Sequence, residues 1–106
     1  MTKEKFLEKF NGLCKYVLVG EEKQLCRITS EEKLNLKAEE TYETLKKVVK
    51  FSSVKNVSII EEAKINKELY DWLEIVFILS LEFDNDYNHI DYKVYAIFDT
   101  KEYKLL

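Results

Sequence analysis

In 106 residues the chain has no proline, two glycines, two cysteines, one histidine, one tryptophan and one methionine. Each shortage removes some chemistry. With only Gly12 and Gly20, neither a phosphate-cradling P-loop nor a dinucleotide fingerprint can be written. A single histidine, His89, excludes a site built from several imidazoles, and any nucleophilic triad would have to use that one ring. Cys14 and Cys26 lack a CxxC neighbour, so they read as small buried hydrophobes rather than a reactive or bridged pair. No apolar run approaches 18 residues, which leaves nothing to span a membrane. Met1-Thr2-Lys3-Glu4-Lys5 is not an export signal, so the expected compartment is the cytosol.

Arginine is scarce too. Arg27 stands alone against 16 lysines, a bias that suits an AT-rich genome such as a low-GC bacterium, its phage or its plasmids. It also leaves almost no bidentate donor for phosphate or base recognition. The net charge is −3 with both signs spread along the chain, which argues against a dedicated nucleic-acid binder.

What is present is ample apolar sequence, 46% of residues, with no internal repeat, low-complexity tract or linker. The expectation is one domain over residues 1–106. Phe6, Leu7, Phe10, Leu13 and Cys14 recur at helical spacing, with Thr2 as N-cap. Gly12 predicts a helix end near residue 11 and a strand over 14–19, although the same spacing permits one helix running to Gly20. Gln24–Thr29 reads as a returning strand. Thr29-x-x-Glu32 has the form of a capping box and opens a helix over about 30–50, with Glu43 and Lys47 as an i,i+4 pair. Leu34-Asn35-Leu36 leaves room for a short strand before a shorter helix.

The second half reads as β. Val54–Ile60 is a strand, with an extension to Ile65 left open. Over 70–83 every odd position from Leu73 to Phe83 is apolar, a period of two without exception. The even positions Ile90, Tyr92, Val94, Ala96 and Phe98 repeat the pattern after a loop. Pairing Phe83 with Ile90 makes every inward pair apolar, and predicts Ile78 opposite Tyr95 and Val76 opposite Ile97 on the other face. A short strand over 102–106 is expected to return along this hairpin and bring Tyr103 near Phe98. The fold class is therefore α+β: two layers, with two helices packed on a mostly antiparallel sheet of about six strands.

The other face of that hairpin should be polar if solvated, yet its centre holds Trp72, Val76, Ile78, Tyr95 and Ile97. Two explanations stand. Helices divided between the two sheet faces would bury these residues. Otherwise they form a partner-binding or homodimer patch, with Asp84, Asp86 and Asp91 as its charged rim.

Catalytic and metal readings fare worse. Asp84-Asn85-Asp86-Tyr87-Asn88 begins like a calcium loop, but His89 stands where that loop needs glycine and Tyr95 where it needs glutamate. Adjacent carboxylates such as Glu61-Glu62 read as solvated faces, because acid–base work needs groups converging across a pocket. Lys46, Lys47, Lys50 and Lys55 read as an ordinary charged helix face. No enzyme, cofactor, metal or direct nucleic-acid contact is expected. The leading expectation is a small protein-binding inhibitor or adaptor that occludes a macromolecule. The composition suits a phage or mobile-element inhibitor of a bacterial defence nuclease such as a CRISPR effector. An immunity protein neutralising a toxin and a homodimeric structural module are the alternatives.

Overall fold

A computed structural model describes residues 1–65, 71–83 and 89–106. Helix α1 spans Lys3–Cys14, strands β1 and β2 span Tyr16–Val19 and Gln24–Ile28, and helix α2 spans Glu31–Leu45. After a single 3-10 turn at Phe51–Ser53 come β3 (Val54–Ile65), β4 (Trp72–Phe83), β5 (His89–Asp99) and β6 (Tyr103–Leu105). The six strands form one sheet in the order β5-β4-β3-β1-β2-β6, in which only the β1–β3 pair is parallel. This is the two-helix, six-strand α+β arrangement that periodicity predicts.

Helix α1 passes through Gly12 instead of stopping there. Phe6, Phe10 and Cys14 lie at i, i+4 and i+8 and are each wholly buried, so continuing the helix by one turn seats the Cys14 thiol in the core. That gain outweighs the glycine's weak helix preference. The strand predicted over 14–19 shortens accordingly to Tyr16–Val19.

Helix α2 also departs from expectation at both ends. Ser30, not Thr29, is the N-cap: its Oγ accepts from the Lys33 amide at 3.3 Å. Thr29 is held elsewhere, its amide on Glu102 O at 2.7 Å and its hydroxyl on Lys101 O at 3.3 Å. At the far end the helix stops at Leu45, and the chain turns so that Val49 and Phe51 enter the core while Val48 is left out. Glu43 pairs with Lys46 at 2.8 Å and with Lys3 of α1 at 3.5 Å rather than with Lys47.

The hairpin β4–β5 keeps the predicted faces but not the predicted partners. Leu81, not Phe83, lies opposite Ile90. The register therefore runs Val76↔Tyr95, Ile78↔Lys93 and Glu74↔Ile97. This is a slip of two residues, and it preserves which side of the sheet each side chain occupies. Period-two patterning cannot distinguish two such registers. Phe83 instead pairs with Val54 on β3.

Strand β6 pairs with β2 at the opposite side of the sheet from β5, which corrects the expectation that it would return along the final hairpin. This has a geometric consequence. Asp99 and Tyr103 are at most about 15 Å apart along the chain, whereas a flat sheet would separate β5 from β6 by about 24 Å. The sheet must coil until its two outer strands approach at one end. Glu102 fastens that end: its carbonyl accepts the Thr29 and Ser30 amides, and its carboxylate takes Lys33 Nζ and the Asp99 amide, each at 2.9 Å. The core lies on the concave side, where Phe6, Phe10, Phe51 and Phe77 meet the apolar faces of the strands.

Candidate functional site

Both helices lie on the concave side, so no helix among the described residues covers the other sheet face. Ile78, Tyr95 and Ile97 are exposed, the last two by more than half, while Trp72 and Val76 are half-buried by their neighbours. The predicted residues do come together. Val76 sits opposite Tyr95, and Ile78 adjoins Val76's row from the Lys93 pairing. Asp91 lies on the same face opposite Ser80, exposed, at the rim. Asp84 and Asp86, also expected in the rim, and the calcium-like loop with them, fall outside the described residues.

The face extends further than the hairpin. Ile60 of β3 pairs with Ile78 and is 69% exposed although its strand is internal to the sheet. The parallel bridge Val19↔Ala63 carries Tyr16 and Leu18 of β1 to the level of Ile60 and Glu62. Leu18 in turn lies opposite Leu25 of β2. Tyr16, Leu18 and Leu25 are all exposed. An apolar belt therefore crosses the sheet from β5 to β2. Its centre on β3–β5 is an open groove of about 400 Å³, with Ile60, Val76, Ile78 and Tyr95 as its apolar lining and Glu62 and Lys93 among its charged lining.

Charge is unevenly placed on this face. The β4–β5 side carries Glu74, Glu82, Asp91 and Asp99 against Lys93, whose ammonium rests over the Tyr95 ring at 5.3 Å. The β2–β6 side carries Arg27 and Lys104, paired across the ladder. The residues that sequence patterning missed are Tyr16, Leu18, Leu25 and Ile60. Their alternation was visible, but which side of each strand would be covered was not.

The groups weighed for chemistry are dispersed. His89 is exposed at the start of β5, with Nε2 3.7 Å from Asp91 Oδ1. Cys14 and Cys26 are both free and buried. Burial pushes both thiols up, Cys14 far more strongly, with the Glu61 charge adding to it. Glu61 itself corrects the reading of Glu61-Glu62 as a solvated pair. It shares the inward face with Val57 and Ala63, and its buried Oε2 has no hydrogen-bond partner among the described residues. Desolvation raises its pKa. Among the described residues no group of three or more His, Cys, Asp or Glu side chains is placed to hold a metal, and no helix is long and apolar enough to cross a membrane.

Comparison with known proteins returns no match to a family model, to a curated protein or to a solved structure. The functional reading therefore rests on the geometry of the uncovered face.

Proposed function

We propose that the protein is a non-catalytic binding protein that acts by stoichiometric occlusion, docking the outer face of β3–β5 on a protein partner and covering that partner's working surface. The observation that carries this reading is an apolar centre of Ile60, Val76, Ile78 and Tyr95 left open to solvent inside a polar rim. Exposed apolar patches of several hundred Å² mark interaction sites, and aromatic side chains at their centre carry most of the binding energy. Glu74, Glu82, Asp91 and Asp99 make the rim acidic, which suits a partner with a basic groove. A defence nuclease, whose nucleic-acid channel has that chemistry, is the partner class this favours.

The test is to titrate a purified CRISPR effector nuclease with the protein and follow substrate binding. Loss of substrate binding at a one-to-one ratio supports the reading. Ile78→Ala and Tyr95→Ala should then weaken inhibition by at least about tenfold while costing under about 1 kcal/mol of stability. A loss of about 3–5 kcal/mol would instead mark these side chains as core. Inhibition that survives both truncations would sink the docking face.

A further inference from the structure

Strand β5 is the last strand of the sheet, so one of its two edges has no neighbouring strand among the described residues. We infer that this edge pairs with the same edge of a second copy of the chain, β5 against β5 in antiparallel sense about a twofold axis at Tyr92, making one continuous sheet of the two molecules. Occlusion uses the outer face of the sheet and this pairing uses its rim, so the two readings stand or fall separately.

The bonds at the far end of the strand fix which way its backbone groups point. Asp99 gives its amide to the Glu102 carboxylate at 2.9 Å, and its carbonyl accepts from the Glu102 amide at 3.0 Å. Ile97 O accepts from Lys33 Nζ at 3.2 Å. None of these partners is on β4, so the odd residues of β5 aim their amides and carbonyls away from the sheet while the even ones bond to β4. Asp91, Lys93 and Tyr95 carry the same outward groups, and no hydrogen bond among the described residues engages them. At Ile97 the Lys33 side chain closes on the strand. Beside Tyr92, Lys93, Val94 and Tyr95 the helix stands off, leaving a groove of about 200 Å³ walled by Lys37, Glu40 and Thr41. Two common guards against strand addition are missing, since the chain has no proline and β5 runs along β4 without a bulge. A third, an edge lysine, is Lys93, and Asp91 supplies its counter-charge.

Charge selects both the occupant and the register. A twofold pairing keeps each face of the sheet on its own side and so must be centred on a residue. Centred on Asp91 or on Lys93, it sets that charge against itself. Centred on Val94 or beyond, it draws in Ile97, whose carbonyl Lys33 already holds. Centred on Tyr92, it sets Asp91 opposite the partner's Lys93 and Lys93 opposite the partner's Asp91, the opposite charges that favour a cross-strand pair. His89 then lies opposite the partner's Tyr95. On the inner face Ile90, 40% exposed although it points inward, lies opposite the partner's Val94. The odd-numbered pairs exchange both of their backbone bonds, about eight in all. A foreign strand would need an acidic and a basic side chain two residues apart in the right order, and β5 carries that pair itself. Both outer faces then point the same way, and the groove of Ile60, Val76, Ile78 and Tyr95 stays open to a target.

Light scattering coupled to size-exclusion chromatography on the full chain should find a dimer that dissociates on dilution. Asp91→Lys and Lys93→Asp each place like charges opposite one another twice. Each should raise the dissociation constant by at least about tenfold without moving the melting temperature of the dilute protein, because both side chains are exposed. Mixed, the two variants restore both opposite-charge pairs and should form heterodimers. Ile60→Lys, on the outer face of a strand internal to the sheet, should leave the dimer intact. Amide hydrogen exchange reads the pairing directly. Asp91, Lys93 and Tyr95 should gain protection as protein concentration rises, while Tyr92 and Val94, bonded to β4, are protected throughout.

A wild-type chain that stays monomeric overturns the pairing. So does a dimer indifferent to Asp91→Lys and Lys93→Asp, or one whose outward β5 amides exchange as fast as in the monomer, since either places the contact elsewhere. A dimer lost on Ile60→Lys overturns it too, by moving the contact to the outer face. Failure of the nuclease titration bears on the outer face alone and leaves the edge pairing standing.

Discussion

Glu61 is the residue whose position is hardest to reconcile with stability. It takes an inward position on β3 between Phe77 of β4 and the level of Val17 on β1, and Cys14 of α1 senses its charge. A carboxylate there loses water, and its Oε2 gains no donor among the described residues. Because its pKa is raised in the folded chain, the native state prefers the protonated form. The associated stability is fully present below the unfolded-state value near 4.5 and is lost as pH rises through the raised native value. Glu61→Gln removes the charge while keeping the shape. It should raise the melting temperature at neutral pH by a few degrees, from about 1 kcal/mol or less once the partial exposure of the site is allowed for. The difference between variant and wild type should shrink to nothing as pH falls below 4.5. A melting-temperature series across pH reads this directly, and a gap that persists at low pH would mean that shape, not charge, is at issue.

At the scale of elements, what was legible followed local chemistry. Strand β4 declared itself because five of its odd positions, Leu73 to Leu81, are buried to within 1% of fully, and nothing but a strand satisfies that period. Strand β3 was less clear because Glu61 breaks its inward series, and so Ile60 on the opposite face was not recognised as part of a surface. Cap positions were misread wherever distant contacts decide them. Thr29 and Ser30 are equally good caps in isolation, and the choice falls to Ser30 because the Thr29 hydroxyl is turned away to donate to Lys101 O while the Ser30 Oγ accepts from the Lys33 amide. Ser30→Ala should therefore cost about 1 kcal/mol, and Thr29→Ala should leave the helical content of α2 unchanged, by circular dichroism and urea unfolding. Equal effects from both would restore the capping-box reading of Thr29.

The whole molecule is governed by the coil of its sheet, which no local pattern announces. The faces of the strands and the mostly antiparallel sense of the sheet could be read from alternation, but the pairing of β6 with β2 could not, because a three-residue strand carries too little pattern to choose a partner. The decisive contacts gather at Glu102, whose backbone carbonyl and side chain join the end of β5, the end of β2 and the start of α2. Its side chain is only 20% exposed, so its bonds to Lys33 and to the Asp99 amide are shielded from much of the screening that weakens surface pairs. Charge-assisted bonds of this kind contribute about 1.5–3 kcal/mol in favourable settings. Glu102→Ala should accordingly destabilise the fold by about 2 kcal/mol, and Glu102→Gln by less, since the amide oxygen still accepts from the Asp99 N–H. Amide hydrogen exchange supplies the sharper measurement. If Glu102 closes the coiled sheet, its loss should release β6 and the β2 amides paired with it in a local opening, well before β4 and the inner face of β3 exchange. Uniform acceleration across all six strands would show instead that closure and core melt together, and that the coil is held by the aromatic packing beneath α1 rather than by the fastening at its end.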